Sequence, residues 1–339
     1  MTSGKILAGA AALPALLLCG WAQQSVAPPA VPLGLPPLVW PRDNPYSAAK
    51  VELGKLLYFD RRLSADETVS CASCHDPKMA FTDNAPVSTG IQSRHGGRSA
   101  PTVINRAYSE AQYWDGRAAT LEEQAKVPIA NPIEMGMTHE AVVERLRRIK
   151  GYRQLFKAAF GSEQIDIDRV AKAIASFERT VLSGNSPYDR YKDGDERAMN
   201  VQQVRGMEIF FERAKCGRCH EGPNFTSNGY SNIGVGSDKP EPDVGRYAVT
   251  HDPGDWGVFK VPTLREIEHT WPYMHDGSLK SLEEVVEYYN KGGIKNRNLD
   301  PNMKMLHMNE NEKAALVSFL LALSGEGWQQ ITPPGSFPQ

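Results

Sequence analysis

Apolar side chains recur at helical spacing in the middle of the chain. Val170, Ile174, Phe177 and Val181 follow one another at intervals of four, three and four residues, which places them on one face of a helix. The Ser-Gly-Asn-Ser-Pro run that comes next is rich in residues that favour turns. We therefore predict a helix over residues 166–182 and a domain boundary directly after it.

Similar patterns occur along much of the remaining sequence, whereas the alternating pattern of strands is scarce. They predict further helices over residues 47–59, 138–150, 201–211, 282–289 and 312–323. The sequence therefore predicts a mainly α protein with little strand.

The N-terminus has the pattern of a secretory signal peptide. Lys5 precedes an apolar run over residues 6–18, and small residues lead to a cleavage site after Ala22. Residues 1–22 are thus predicted to be removed, which leaves no membrane span in the mature chain. An uncleaved anchor is the alternative, and the bulky leucine before Cys19 argues against lipidation there.

Residues 23–45 carry seven prolines and predict an extended lead-in without helix. The whole chain has 339 residues, of which 41% are hydrophobic and 23% charged, a composition typical of soluble proteins and long enough for two domains. The net charge of −2 provides no bulk electrostatic reason to bind nucleic acid. An aromatic content of 9% also argues against a mostly disordered chain.

The four cysteines outside the signal peptide form two copies of one motif. Cys71 and Cys74 are followed by His75, and Cys216 and Cys219 by His220. Cys-x-x-Cys-His is the attachment pattern of c-type haem, in which the thiols bond the haem and the histidine binds the iron. A zinc site and a redox dithiol are the alternatives. We predict two covalent haem c groups in an exported, periplasmic protein.

The two motifs lie one in each half of the chain, which indicates two cytochrome-c-like domains. We predict a first haem domain over residues 46–183, a second over 184–327 and a tail over 328–339. Whether such a protein is an electron carrier or an enzyme depends on the sixth coordination position of each iron. A peroxidase requires one iron with an open face and an acid–base group beside it.

Short stretches around both motifs resemble one family, the bacterial dihaem cytochrome c peroxidases and their MauG-like relatives. The resemblance covers nearly the whole mature chain. It rests on ELGKLLYFD at 52–60, SCASCHDP at 70–77, AFTD at 80–83, APTVIN at 100–105, YWDGRA at 113–118, LEEQA at 121–125, NPIEM at 131–135, VPTLR at 261–265 and PYMHDG at 272–277.

The resemblance implies a catalytic pocket at the first haem. Glu134 matches the carboxylate that moves protons of bound hydrogen peroxide, Gln124 the amide that orients it, and Pro128 a residue lining the same pocket. The alternative role of Glu134 is a helix N-terminal carboxylate. Trp114 matches the tryptophan that relays electrons between the haems, and its alternative is an ordinary buried aromatic residue.

The resemblance also implies the ligands of the irons. Tyr289 stands where MauG-like proteins have a tyrosine ligand of the second iron and other peroxidases a methionine. Its position on the apolar stripe of the 282–289 helix is also compatible with a core tyrosine. Rival ligands are Met303, Met305, His307 and Met308.

Peroxidases of this family that need reductive activation have a histidine at the position of Ile91. Its replacement predicts a first iron that is open without prior reduction. His95 lies four residues further on and is the alternative ligand.

Two substitutions depart from MauG itself. Ala214 replaces a tryptophan at the exit toward its protein substrate. Thr270 and Pro272 match backbone ligands of an interdomain calcium ion, whereas Ser99 replaces the asparagine ligand and makes a poorer site.

Three functions remain. The first is a peroxidase that reduces hydrogen peroxide with electrons from a small periplasmic cytochrome c or cupredoxin. The second is a MauG-like enzyme that uses peroxide to oxidise side chains of a partner protein. The third is a plain dihaem electron carrier. Catalytic Glu134 and Gln124 favour an enzyme, and we expect a peroxidase first; homodimerisation stays open.

Overall fold

The structure is a computed structural model that describes Met1 and residues 27–339. The predicted signal peptide and the start of the lead-in lie outside the described residues. Within residues 27–339, no helix combines the length and apolarity needed to cross a membrane.

The described chain is mainly helical, as predicted. Its α-helices are α1 (Ala48–Phe59), α2 (Cys71–Cys74), α3 (Leu121–Ala130), α4 (His139–Arg148), α5 (Lys150–Phe160), α6 (Ile167–Glu178), α7 (Pro187–Lys192), α8 (Val201–Glu208), α9 (Tyr247–Thr250), α10 (Leu282–Asn290) and α11 (Glu310–Leu321). A π-helical turn, Ile209–Arg213, extends α8 toward the second motif. The strands β1 (Tyr230–Ser231) and β2 (Phe259–Lys260) form one antiparallel pair.

Polar caps set several helix starts close to the predicted ones. Ser47 caps α1 and accepts from the backbone N–H of Lys50, and Asp166 caps α6 in the same way. The end of α6 was predicted wrongly, because the helix stops at Glu178 rather than continuing to residue 182. Asn105 holds the segment after the helix in a non-helical path, since its backbone N–H donates to the carbonyl of Val181 at 2.9 Å and its side chain exchanges two hydrogen bonds with the backbone of Ser183.

A glycine-mediated helix crossing occurs twice in the fold. A Cβ on Gly54 of α1 would lie 1.8 Å from the carbonyl oxygen of Ala173 in α6. A Cβ on Gly206 of α8 would lie 1.9 Å from the carbonyl oxygen of Ala315 in α11. Only glycine permits such close backbone contact, so each half builds its core around the same crossing.

The repeat extends to the loop and helix that follow each motif. Thr102 and Thr263 each donate a hydroxyl hydrogen bond to a backbone carbonyl near their own motif, at 2.7 and 2.6 Å. Gly116 and Gly277 both adopt positive φ at the turn before α3 and α10, respectively. The two halves are therefore versions of one structural unit.

Two apolar cores lie on either side of the chain region around residues 183–187. The first half alone contains α4 and α5, and the second alone contains α9 and the β1–β2 pair. Trp328 of the predicted tail packs into the first core, and the backbone N–H of Gly151 donates to the carbonyl of Gln339 at 2.9 Å. The C-terminal segment thus returns to the first half.

Candidate haem sites and catalytic pocket

Each Cys-x-x-Cys-His motif contains a short helical turn. Cys71 and Cys74 begin and end α2, and a single helical turn holds Cys216. These four cysteines form no disulfide. Within residues 27–339, no group of three His, Cys, Asp or Glu side chains lies close enough to hold a metal ion.

Both motif histidines are held in the same orientation. Nδ1 of His75 bonds the carbonyl of Phe81 at 3.3 Å, and Nδ1 of His220 bonds the carbonyl of Phe225 at 3.1 Å. Because a carbonyl only accepts, Nδ1 carries the hydrogen and Nε2 has a free lone pair. Burial lowers the pKa of His75, and that of His220 to about 4, which favours the neutral imidazole in both motifs. Neutral imidazole beside two free thiols suits haem c.

A large, mostly apolar cavity opens beside the second motif. Its wall includes Cys216, Cys219, His220 and Tyr289. Burial raises the pKa of the Tyr289 phenol. Its neighbour Tyr288 donates to the carbonyl of Ile233 at 2.8 Å, whereas no hydrogen bond joins the Tyr289 hydroxyl to a residue of the 27–339 segment. A phenol without a protein partner, aimed into this cavity, fits a ligand better than a core tyrosine.

The rival ligands are mostly placed elsewhere. Met305 is 63% exposed, and His307 is also exposed. Met308 is buried in the second apolar core. Met303 alone among these four lines the cavity, so it is the remaining rival of Tyr289.

The helix α3 carries the predicted residues of the first pocket on one side. Gln124 and Pro128 are one turn apart, and Glu134 follows in the next loop. Pro128 has no N–H, so it cannot bond the carbonyl of Gln124 as a helical residue normally would. The hydroxyl of Tyr113 donates to that carbonyl at 3.2 Å instead. This contact fixes the turn of helix that bears Gln124.

Glu134 lies half-buried close to the first motif. Burial raises the pKa of its carboxyl group, and a hydrogen bond from the side-chain amide of Asn131, 2.7 Å long, opposes this shift. Burial raises the pKa of the Cys71 and Cys74 thiols, and the nearby charge of Glu134 adds a smaller increase to both. A carboxyl group with a raised pKa is a stronger base than an ordinary carboxylate, which suits it to accept a proton and return it.

The loop with Ile91 packs against the segment that carries Glu134. Ile91 is buried, and its backbone N–H donates to the carbonyl of Glu134 at 2.9 Å. A Cβ on Gly90 would lie 2.0 Å from the carbonyl oxygen of Ile133, so glycine is required for this close packing. His95 is exposed and bonds the Thr89 hydroxyl at 3.1 Å. In this conformation His95 is held at the surface.

Trp114 lies where the two halves meet. Its indole N–H donates to the carbonyl of Ser99 at 2.9 Å, and its ring centroid is 6.5 Å from that of His275. His275 in turn stacks on Phe259 at 3.7 Å. Trp114 also lines the cavity of the second motif. This position suits a relay between two haems.

The residues of the expected calcium site come together around the same cavity. Ser99, Thr270 and Pro272 all line it. The Ser99 carbonyl already accepts from Trp114, and its N–H donates to the carbonyl of His275 at 2.8 Å. Calcium binding stays a prediction.

Sequence reasoning missed several residues that shape these pockets. The role of Tyr113 could have been inferred from Pro128, because a proline inside a helix leaves a carbonyl in need of a donor. Asn131 was overlooked as the partner of Glu134, although it lies three residues away. Arg106 and Lys260 come together only through the tertiary fold.

Two family profiles match adjacent parts of the chain. The di-haem cytochrome c peroxidase profile matches residues 48–197, and the cytochrome c profile matches residues 203–324. Both matched ranges lie in the described part of the chain, and each range includes one Cys-x-x-Cys-His motif.

Curated relatives and a solved structure resemble almost the whole chain. "Methylamine utilization protein MauG" of Methylorubrum extorquens is 43% identical over 289 residues, which cover 84% of this chain and 81% of that protein. "Cytochrome c551 peroxidase" of Nitrosomonas europaea is 41% identical and covers 84% and 82%, respectively. The crystal structure of "a MauG-like protein associated with microbial copper homeostasis" has a TM-score of 0.82 at 34% identity and covers 88% of this chain and 96% of that one.

Proposed function

We propose that this chain, which belongs to the di-haem cytochrome c peroxidase and MauG family of oxidoreductases acting on peroxide, reduces hydrogen peroxide to water. Electrons would come from a small cytochrome c or cupredoxin. The predicted signal peptide supports a periplasmic location. The observation that carries the proposal is the half-buried Glu134 carboxyl group, with its raised pKa, beside the first motif.

The residues of the two motifs would hold the haem groups. Cys71, Cys74 and His75 would attach the first, and Cys216 and Cys219 with His220 the second. The first haem would supply the iron that reduces the O–O bond. The Nδ1 hydrogen bond to the Phe81 carbonyl fixes the imidazole of His75 and leaves Nε2 as the nitrogen that would bind this iron.

Glu134 would take a proton from hydrogen peroxide and return it to the oxygen that leaves. Two electrons and two protons then convert one peroxide molecule into two water molecules. Gln124 would orient the peroxide, and the Tyr113 hydrogen bond to its carbonyl holds that helical turn in place. Pro128, one turn after Gln124, has no side-chain atom that could bind the iron, so it would leave room for the peroxide.

Trp114 would pass electrons from the second haem toward the first. Its hydrogen bond to Ser99 fixes the indole, and its backbone carbonyl accepts from the N–H of Lys260 at 2.7 Å. These two contacts tie the tryptophan to both halves of the chain. Tyr289, which faces the second cavity, would bind the second iron.

Oxidation of a partner protein is the second candidate function. Tyr289 favours it, because MauG-like proteins have tyrosine at this position, and so does the buried Ile91. Ala214, which lines the second cavity where MauG has a tryptophan near its protein substrate, favours peroxide reduction. We therefore rank peroxide reduction first.

Replacing Glu134 tests the proposal. Glu134→Gln keeps the size of the side chain and removes its ability to move protons, so peroxide turnover should fall by about 10²–10⁴-fold. Steady-state rates with a reduced cytochrome c as donor measure the effect. Glu140→Gln is the matched control, because Glu140 is a charged residue in the first turn of α4, outside the pocket.

An unchanged rate in Glu134→Gln, with both haem groups in place, would remove this residue from the mechanism. Equal losses in both variants would indicate a general effect on charge or folding.

A further inference from the structure

A buried lysine without a partner lies in the cavity of the second motif. Lys260 ends β2 and is only 3% exposed. Its Nζ has no hydrogen-bond partner among the residues that the structure describes. The side chain lines the same cavity as His220 and Tyr289. A buried ammonium group without an acceptor is unfavourable, so this position requires an explanation.

A second cation from the other half of the chain reaches the same cavity. Nε of Arg106 donates to the carbonyl of Thr102 at 2.7 Å. This contact leaves the two terminal nitrogens of the guanidinium group available to a ligand. No carboxylate within residues 27–339 forms an ion pair with Arg106 or Lys260. Arg106 also lines the cavity. The two halves therefore each contribute one cation to a single space.

The surrounding charges do not compensate this pair. Burial, together with the neighbouring charge of Arg106, lowers the pKa of Lys260 to about 7. Burial likewise lowers the pKa of Arg106 to about 10. The acidic groups that act on them are the exposed Glu110 and the buried Glu178, whose own pKa burial raises to about 8. An anion placed in the cavity would stabilise both cations.

The haem group itself provides such an anion, because it carries two propionate carboxylates. We infer that Lys260 and Arg106 form a clamp that binds the propionates of the haem attached at Cys216 and Cys219. This inference concerns how the second haem is held and is independent of whether peroxide or a partner protein is the final target. Both side chains would donate charge-assisted hydrogen bonds to carboxylate oxygens.

The clamp also connects the haem edge to Trp114. The backbone N–H of Lys260 donates to the Trp114 carbonyl at 2.7 Å, and Tyr230 pairs with Lys260 across the two strands. The lysine is thus fixed at its backbone next to the residue that we assign to electron relay. Positive charge at the propionates favours the reduced iron, so the clamp should raise the reduction potential of the second haem.

Replacing the lysine in the purified dihaem protein tests this inference. Lys260→Met should lower the reduction potential of the second haem and shift the propionate bands in its resonance Raman spectrum. Lys260→Arg should keep the potential close to that of the wild type. The measurement is a spectroelectrochemical titration of both haem groups, which requires no peroxide turnover.

Lys304→Met is the matched control, because Lys304 lines the same cavity but is exposed. Solvent screens an exposed charge, so this variant should shift the potential far less. If Lys260→Met fails to retain haem, Arg106→Gln carries the same test and should also lower the potential of the second haem.

An unmoved potential and unmoved propionate bands in Lys260→Met would overturn the inference. A shift confined to the first haem would also overturn it, because it would assign the lysine to the other cofactor. If the difference in second-haem potential between the wild type and Lys260→Met disappeared when chloride was added, the lysine would bind an inorganic anion. That result would contradict the propionate assignment. None of these results would affect the role of Glu134.

Discussion

The two halves of the molecule share one framework and differ at the helix that faces each haem site. Pro128 is the eighth residue of α3, and Tyr289 is the eighth residue of α10. Thr120 and Ser281 cap the two helices in the same way. The repeated unit therefore places a residue without a metal-binding group in the first half and a phenol in the second.

This difference indicates that function is divided by side chains on a common scaffold. Gln124 in α3 corresponds to Val285 in α10, so the polar group that could orient substrate occurs only in the first half. The same half supplies Glu134 from the loop after its helix. These few substitutions predict an open, polar first site and a ligated, apolar second site.

The largest expected effect comes from changing the ligand of the second site. Tyr289→Met should raise the reduction potential of the second haem, because thioether ligands favour ferrous iron and phenolate favours ferric iron. Storage of oxidising equivalents after adding peroxide without donor should then be lost, while peroxide reduction with a good donor continues. Potentiometric titration and optical spectra measure both effects.

Tyr288→Phe is the control for this comparison, because its hydroxyl donates to the Ile233 carbonyl instead of facing the cavity. An unmoved potential in Tyr289→Met would show that Tyr289 is a core residue. Met303 would then be the next candidate ligand, since it also lines the cavity.

A variant with a smaller expected effect tests how Glu134 acts at the first site. Asn131→Asp replaces the amide that donates to Glu134 with a like charge, so the pKa of Glu134, already raised by burial, should rise further. Glu134 acts as a base only when deprotonated, so the acidic limb of kcat/KM should move to higher pH. A pH profile of peroxide turnover measures this shift.

Asn309→Asp provides the same change of charge at the cap of α11, where aspartate is also a good cap. Its pH profile should match that of the wild type. An unshifted acidic limb in Asn131→Asp would mean that another group controls this limb.

The sequence predicted the fold class and the two haem motifs because these depend on residues close together in the chain. Spacing along α10 and the family resemblance pointed to Tyr289, whose side chain the structure directs into the second cavity. The end of α6 could not be predicted, because the distant Asn105 holds the segment after it. Lys260 and Arg106 likewise acquire their role only when folding places them in one cavity.

The assignment of the open iron to the first half can be tested by electron paramagnetic resonance of the oxidised protein. The wild type should show one high-spin and one low-spin haem, and His75→Ala should change the high-spin signal while His220→Ala changes the low-spin signal. Two low-spin signals in the wild type would indicate an electron carrier. Loss of the high-spin signal only in His220→Ala would contradict the account by assigning the open iron to the second half.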